Sequence, residues 1–137
     1  SSLNNQGEAE FVVRQVEQLI ATGLSPDDIA VITPYSAQAR CLRDLIENPA
    51  LEVDTIDGFQ GREKEAVVIS LVRSNPRGEV GFLADTRRLN VALTRARRKL
   101  IVIGDSSTLA NHEFYLRLLE YFEHADAYGT VWDFDQN

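Results

Sequence analysis

Three nearly unbroken apolar runs constrain this chain more than any other feature. They are Ile29-Ala30-Val31-Ile32-Thr33, Ala66-Val67-Val68-Ile69-Ser70-Leu71-Val72 and Leu100-Ile101-Val102-Ile103-Gly104. A strand with one wet face alternates polar and apolar residues. These runs do not, so they read as strands covered on both sides, as in parallel sheets. Segments of helical period stand between them. Glu8 to Thr22 carries Val12, Val16, Leu19 and Ile20 at helical spacing, and Gly23 ends the run. Ser36 to Glu47 reads as a second helix, closed by Asn48-Pro49. Leu51 to Ile56 is a further strand, and Thr130 to Phe134 an edge strand. Asp85 caps a helix expected to run to about Arg98, and Phe114 to Glu123 forms a last helix. Strands alternating with helices predict an α/β fold, a parallel sheet with helices on both faces.

At 137 residues and 44% hydrophobic content the chain is expected to be one domain with one core. It contains no methionine, so it reads as a piece cut from a longer protein or one processed at its N-terminus, the cut piece being the favoured expectation. No charged-then-apolar targeting segment opens it, and no apolar run approaches the ~20 residues of a membrane helix. Cys41 is the only cysteine, which excludes an internal disulfide and a cysteine-rich zinc site. The expected setting is reducing and intracellular, cytoplasm or nucleus, with Cys41 a small core residue beside Ala39 and Leu42. His112 and His124 lie twelve residues apart with no cysteine nearby, so no metal site is expected. Neither G-x-x-x-x-G-K-[ST] nor G-x-G-x-x-G occurs, so the chain has no phosphate-cradling loop of its own. The net charge of −7 argues against binding nucleic acid by bulk charge. Yet Arg87, Arg88, Arg95, Arg97, Arg98 and Lys99 crowd one stretch, which points to a specific anion site.

In parallel sheets ligands gather at the carboxyl ends of strands. That rule nominates Thr33-Pro34-Tyr35, Asp57 to Glu63, Arg73-Ser74-Asn75 and Gly104-Asp105. Gly58 and Gly61 either turn backbone N–H groups toward a phosphate or make an ordinary tight turn. Phe59 reads as a core anchor. Tyr35 is a candidate for base stacking or for packing at a helix start. The hydroxyls of Thr33 and Thr55 either meet phosphate oxygens or merely belong to β-branched strand residues. On the helix after Asp85, Leu89, Ala92, Leu93 and Ala96 share the face that packs on the sheet. Arg88 and Arg95, seven positions apart, fall on one edge of it. Arg87 and Arg98 face solvent. Arg95, flanked by small alanines, is the arginine placed to reach a partner surface, and its planar charged fork suits a transferring phosphate.

Asn90-Val91-Ala92-Leu93-Thr94-Arg95-Ala96-Arg97 resembles motif VI of superfamily 1 helicases. Asp57-Gly58-Phe59-Gln60-Gly61-Arg62-Glu63-Lys64-Glu65 resembles motif V, and Ile32-Thr33-Pro34-Tyr35 with Gln38 resembles the motif before it. Order and spacing match too, from about Asn4 to Tyr121. Within that superfamily the chain resembles the group of the nonsense-mediated-decay and immunoglobulin-mu-binding helicases. Arg73-Ser74-Asn75 and Gly78 to Leu83 carry the latter likeness.

The resemblance implies a RecA-like fold of the P-loop-NTPase type, residues 1–137 being the second of two motor domains and lacking their own P-loop. It implies an enzyme, an ATP-dependent DNA or RNA helicase, of which this fragment alone would be inactive. ATP and Mg²⁺ would be held mainly by the first motor domain, the partner across the cleft. Arg95 would be the arginine finger at the γ-phosphate. Gly61, Glu63 and Arg88 would lie beside the nucleotide. Thr33, Pro34, Tyr35 and Thr55 would lie on the track of single-stranded DNA or RNA, and Gln60 would link the two sites. A further arginine that lines the ATP site in this family belongs upstream of residue 1. The competing expectation is a nucleic-acid-binding or scaffold domain with no ATPase role.

Overall fold

The computed structural model describes residues 4–59, 62–72, 92, 94–104, 120, 123 and 128–133. Their elements are α1 (Gln6–Ala21), a 3-10 turn (Pro26–Asp28), β1 (Ile29–Thr33), α2 (Ser36–Leu45), β2 (Glu52–Thr55), β3 (Lys64–Ser70), β4 (Ala96–Gly104) and β5 (Tyr128–Asp133). The strands form one five-stranded sheet in the order β2-β1-β3-β4-β5. Every neighbouring pair is parallel. The apolar runs are therefore buried on both faces, and all five residues of β1 are out of water. No described helix is long and apolar enough to cross a membrane.

Two cores flank the sheet. On one face α1 and α2 bring Ala9, Val12, Val16, Leu19 and Leu42 against Ile29, Val31, Ala66, Val68, Ile101 and Ile103. On the other face Ile56, Phe59 and Ala92 cover Ala30, Ile32, Val67, Ile69, Leu100 and Val102. Side chains of consecutive strand residues point to opposite faces, which sorts the odd and even positions of β1 into these two clusters.

Helix α1 starts at Asn5, whose side chain accepts the Glu8 N–H at 2.8 Å. It ends at Gly23 in the left-handed region, φ 110°, where Leu24 N–H reaches back to the Leu19 carbonyl. A glycine past the last turn adopts that conformation without a Cβ clash. Ile20, expected on the apolar stripe, is exposed. Cys41 is only partly buried, against the α1/α2 cluster, and its thiol donates to Gln6 Oε1 at 3.1 Å. Burial, helped by Asp44, pushes that thiol up. Trp132 of β5 meets Phe11 of α1 edge-on, centroids 5.6 Å apart. It is a packing residue, as its sequence context suggests; Phe134 lies outside the described residues.

One expectation is overturned. The helix that should run to about Arg98 has ended by Thr94 and Arg95, which form a turn, and β4 begins at Ala96. Lys64 N–H donates to the Arg95 carbonyl at 2.9 Å, and Ala96 pairs with Lys64. Helical periodicity in Ala92 to Arg98 loses to strand pairing, because β3 supplies backbone partners here. Arg97, Arg98 and Lys99 are all exposed, so the charged half of β4 carries no apolar signal of a strand.

Candidate functional site

Thr33 and Thr55 end adjacent strands and pair with each other in register. Thr33 is wholly buried; its hydroxyl accepts the Tyr35 N–H at 3.4 Å, and its carbonyl accepts Ile56 N–H at 3.0 Å. Tyr35 then caps α2, its carbonyl taking the Ala39 N–H. Pro34 and Tyr35 are half-buried, and burial pushes the Tyr35 phenol up. These residues form a compact corner at the carboxyl edge of the sheet.

From Thr55 the chain must cross back, because the next parallel strand of the sheet, β3, starts at the opposite edge. The crossover begins with a tight turn. Thr55 accepts Gly58 N–H on Oγ1 at 3.0 Å and Phe59 N–H on its carbonyl at 2.9 Å. The Gly58 N–H is thus used internally, which corrects the phosphate-facing option for that residue. Gly58 is demanded by space: a Cβ there would stand 2.5 Å from Asp54 Oδ1. That oxygen is itself held by Thr55 N–H and Arg43. Ile56 and Phe59 anchor the crossover in the core, each contributing roughly 1.5–3 kcal/mol by burial. Phe59 is a core anchor, as expected.

The crossover delivers Glu63 to the amino edge of the sheet. This corrects the expectation that Asp57 to Glu63 lies wholly at the carboxyl ends. Lys64 to Ser70 spans six strand steps, so the edges stand about 20 Å apart. At the amino edge the register of β3 and β4 slips between Lys64 and Ala66. Lys64 pairs with Ala96 and Ala66 with Lys99, leaving Arg97 and Arg98 opposite the single residue Glu65. Such a bulge re-aims side chains. Both guanidiniums converge: Arg98 Nε is 3.1 Å from Glu65 Oε1, Arg97 Nη1 is 3.5 Å from Glu65 Oε2, and Arg97 Nε is 3.5 Å from Glu63 Oε1. Exposed pairs of this kind stabilise by less than about 1 kcal/mol each. Backbone pairing, not the ion pairs, holds the bulge.

Arg95 sits half-exposed at the head of this bulge, on the turn whose carbonyl Lys64 N–H holds. The Lys64 ammonium is buried beneath, donating to the Asp27 carbonyl at 2.9 Å and lying 3.7 Å from Glu52. It pins the start of β3 to the 3-10 turn and to β2. Sequence reasoning missed Lys64, because a lysine in a charged run reads as solvated.

It also missed Glu8. Glu8 falls on the Val12, Val16, Leu19 stripe and is fully buried there. A charge in phase with an apolar stripe is the signal that would have found it. Gln60, Gly61, Arg88, Arg73-Ser74-Asn75, Asp105, both histidines, and positions 85–91 and 114–119 of the helices expected over Asp85 to Arg98 and Phe114 to Glu123 lie outside the described residues. The structure thus brings Thr33, Pro34, Tyr35 and Thr55 together at one edge, and Glu63 and Arg95 at the other.

A family model described as an AAA domain matches residues 1–107. The DNA-binding protein SMUBP-2 of Rattus norvegicus is 52% identical over 135 residues, 97% of this chain and 14% of its own length. The DNA polymerase alpha-associated DNA helicase A of Schizosaccharomyces pombe is 48% identical over 125 residues, 89% of this chain and 19% of its own. A regulator of nonsense transcripts 1 homolog of Neurospora crassa is 42% identical over 132 residues, 90% of this chain and 12% of its own. The chain therefore spans under a fifth of the length of these curated relatives. By this match over most of its length, and by the motifs it carries on a parallel α/β sheet, the chain belongs to the AAA-domain family, within the superfamily 1 helicases of the nonsense-mediated-decay and immunoglobulin-mu-binding group.

Proposed function

We propose that this chain is the second RecA-like motor domain of an ATP-dependent helicase. In this assignment the amino edge faces ATP and the carboxyl edge carries single-stranded DNA or RNA. The observation that carries it is the sorting of the motif residues onto opposite edges of one sheet, joined by the crossover from Ile56 to Glu63. Arg95 acts as the arginine finger. Glu63 lies beside the nucleotide, with Gly61 and Arg88 assigned there by resemblance. Thr33, Pro34, Tyr35 and Thr55 form part of the strand track, with Gln60 on the link between the sites.

The amino edge suits a nucleotide chemically. Arg95 is half-exposed, and its neighbours Arg97 and Arg98 stand in water at the start of β4, where Ala96 pairs with Lys64. A fork presented from a fixed backbone stabilises charge as it develops on a transferring phosphoryl group. Glu63 offers a carboxylate to a sugar hydroxyl once Arg97 gives way. Mg²⁺ and the phosphate-cradling loop are assigned to the first motor domain. Thr33 is buried with its hydroxyl on Tyr35 N–H, so its part in the track is to fix Tyr35, the more accessible surface for a base.

Steady-state ATPase of the full-length parent, titrated with single strand, tests the division. Arg95→Ala should lower turnover at saturating strand. Tyr35→Ala should raise the strand concentration needed and spare turnover at saturation. If both variants fail in the same way, the two edges do not have separate roles. This chain by itself should show no strand-stimulated hydrolysis, and turnover by the pure 137-residue protein would refute the assignment as a half-site.

A further inference from the structure

The carboxyl edge is braced from behind by a buried polar network. Glu8, on the first turn of α1, is wholly out of water. Its Oε2 accepts the Ser70 hydroxyl and the Val72 N–H, the latter at 2.8 Å. Gln38, also fully buried, donates from Nε2 to Ser70 Oγ at 3.1 Å and to the Asn5 carbonyl at 3.3 Å. Its Oε1 accepts Asn5 N–H at 2.8 Å. Three elements are thus tied together: the start of α1, the first turn of α2 directly after Tyr35, and the exit of β3.

Val72 marks what the brace holds. It has φ 58°, the one non-glycine residue in the left-handed region among those described, and its side chain is buried. A β-branched residue resists that conformation, and it persists only where the surroundings impose it. The turn out of β3 follows directly on Leu71, whose N–H still pairs with the Ile103 carbonyl at 2.8 Å. The grip on Val72 N–H comes from Glu8.

We infer that Glu8 is a positioning residue for strand binding. It fixes the backbone at Ser70 to Val72 and, through Gln38, the Tyr35 corner, without touching nucleic acid itself. The inference depends on the carboxyl edge being the strand track.

The test uses the full-length protein. Glu8→Leu keeps roughly the side-chain volume and removes both acceptor oxygens. Single-strand affinity is read by anisotropy of a labelled oligonucleotide, and ATPase with and without strand. Strand affinity should fall roughly ten-fold, while strand-free ATPase and KM for ATP stay within about two-fold. Adding Val72→Gly to Glu8→Leu should recover most of the affinity, because glycine adopts the left-handed conformation unaided. A role in packing alone predicts the reverse, since Val72→Gly also empties buried space. Unchanged affinity in Glu8→Leu, a double variant weaker than the single, or strand-free ATPase falling in step with affinity would each overturn the proposal. If Glu8→Leu does not fold, Ser70→Ala is measured in its place: it cuts the tie to Gln38 while Glu8 keeps the Val72 N–H, so affinity should fall without rescue by Val72→Gly, and unchanged affinity there overturns the proposal. Tyr35→Ala separates the two readings. Affinity unchanged there refutes the track; affinity lost there but kept in Glu8→Leu refutes only the positioning role.

Discussion

At the carboxyl edge polar groups are spent inward. Thr33, Gln38, Ser70 and Glu8 are all fully buried, and each is hydrogen-bonded to backbone or to another of the set. At the amino edge the charges stand outward, the Arg97 and Arg98 side chains being 56% and 82% exposed. The contrast separates two ways of preparing a surface. Buried hydrogen bonds are costly to break, about 1–3 kcal/mol for each group left unpaired, so they hold one geometry. Exposed ion pairs are worth under about 1 kcal/mol and exchange readily for another anion. A rigid edge fits a track that must keep register. Under the proposed division, a hydrated, exchangeable edge fits a face that meets phosphate.

Four substitutions, made in the full-length protein with the proposed helicase activity, can break or sharpen this contrast. Arg95→Ala comes first. Turnover at saturating strand should fall by at least about 10²-fold, because the lost contact acts most strongly on the transition state. ATP should still bind, and Arg95→Lys should not rescue, an ammonium lacking the planar fork. Near-normal turnover in Arg95→Ala would remove the nucleotide from the amino edge.

Gly58→Ala comes second and probes the crossover between the edges. The added Cβ meets Asp54 Oδ1, which cannot swing away without releasing Thr55 N–H and Arg43. A loss of about 1–3 kcal/mol is expected in denaturant unfolding. A neutral result would mean that the turn is softer than its hydrogen bonds imply.

Tyr35→Ala should weaken single-strand binding by about ten-fold, the scale of one lost base–aromatic stack. Equal loss of ATP affinity would contradict a dedicated carboxyl edge. Smallest is Arg98→Ala, which removes an exposed pair with Glu65. Stability should change by less than about 1 kcal/mol and turnover hardly at all. A large turnover defect would shift the finger assignment from Arg95 toward Arg98.

Much of the fold was legible because the physics behind it is local. The run Ile29 to Thr33 is β1 residue for residue, since only a doubly covered strand tolerates such a sequence. Gly23 stops α1 where its spacing says it should. The start of β4 was not legible. Ala92 to Arg98 satisfies helical periodicity, and the competing signal lies in β3, whose Lys64 pairs with Ala96 from far earlier in the chain. Lys64 and Glu8 stayed hidden for a related reason: their burial depends on donors and acceptors from distant segments, Asp27, Glu52, Ser70 and Val72.

By itself the sequence determined the parallel α/β class, the helices that cover one face and the motifs that mark the family. Each is written in residues within a few turns or strand steps of one another. Only tertiary structure decided that those motifs divide between two edges about 20 Å apart. A strand has a direction but no address until it pairs. The register of Lys64 against Ala96 sends Glu63 and Arg95 to one end, and that of Thr33 against Thr55 sends Tyr35 to the other.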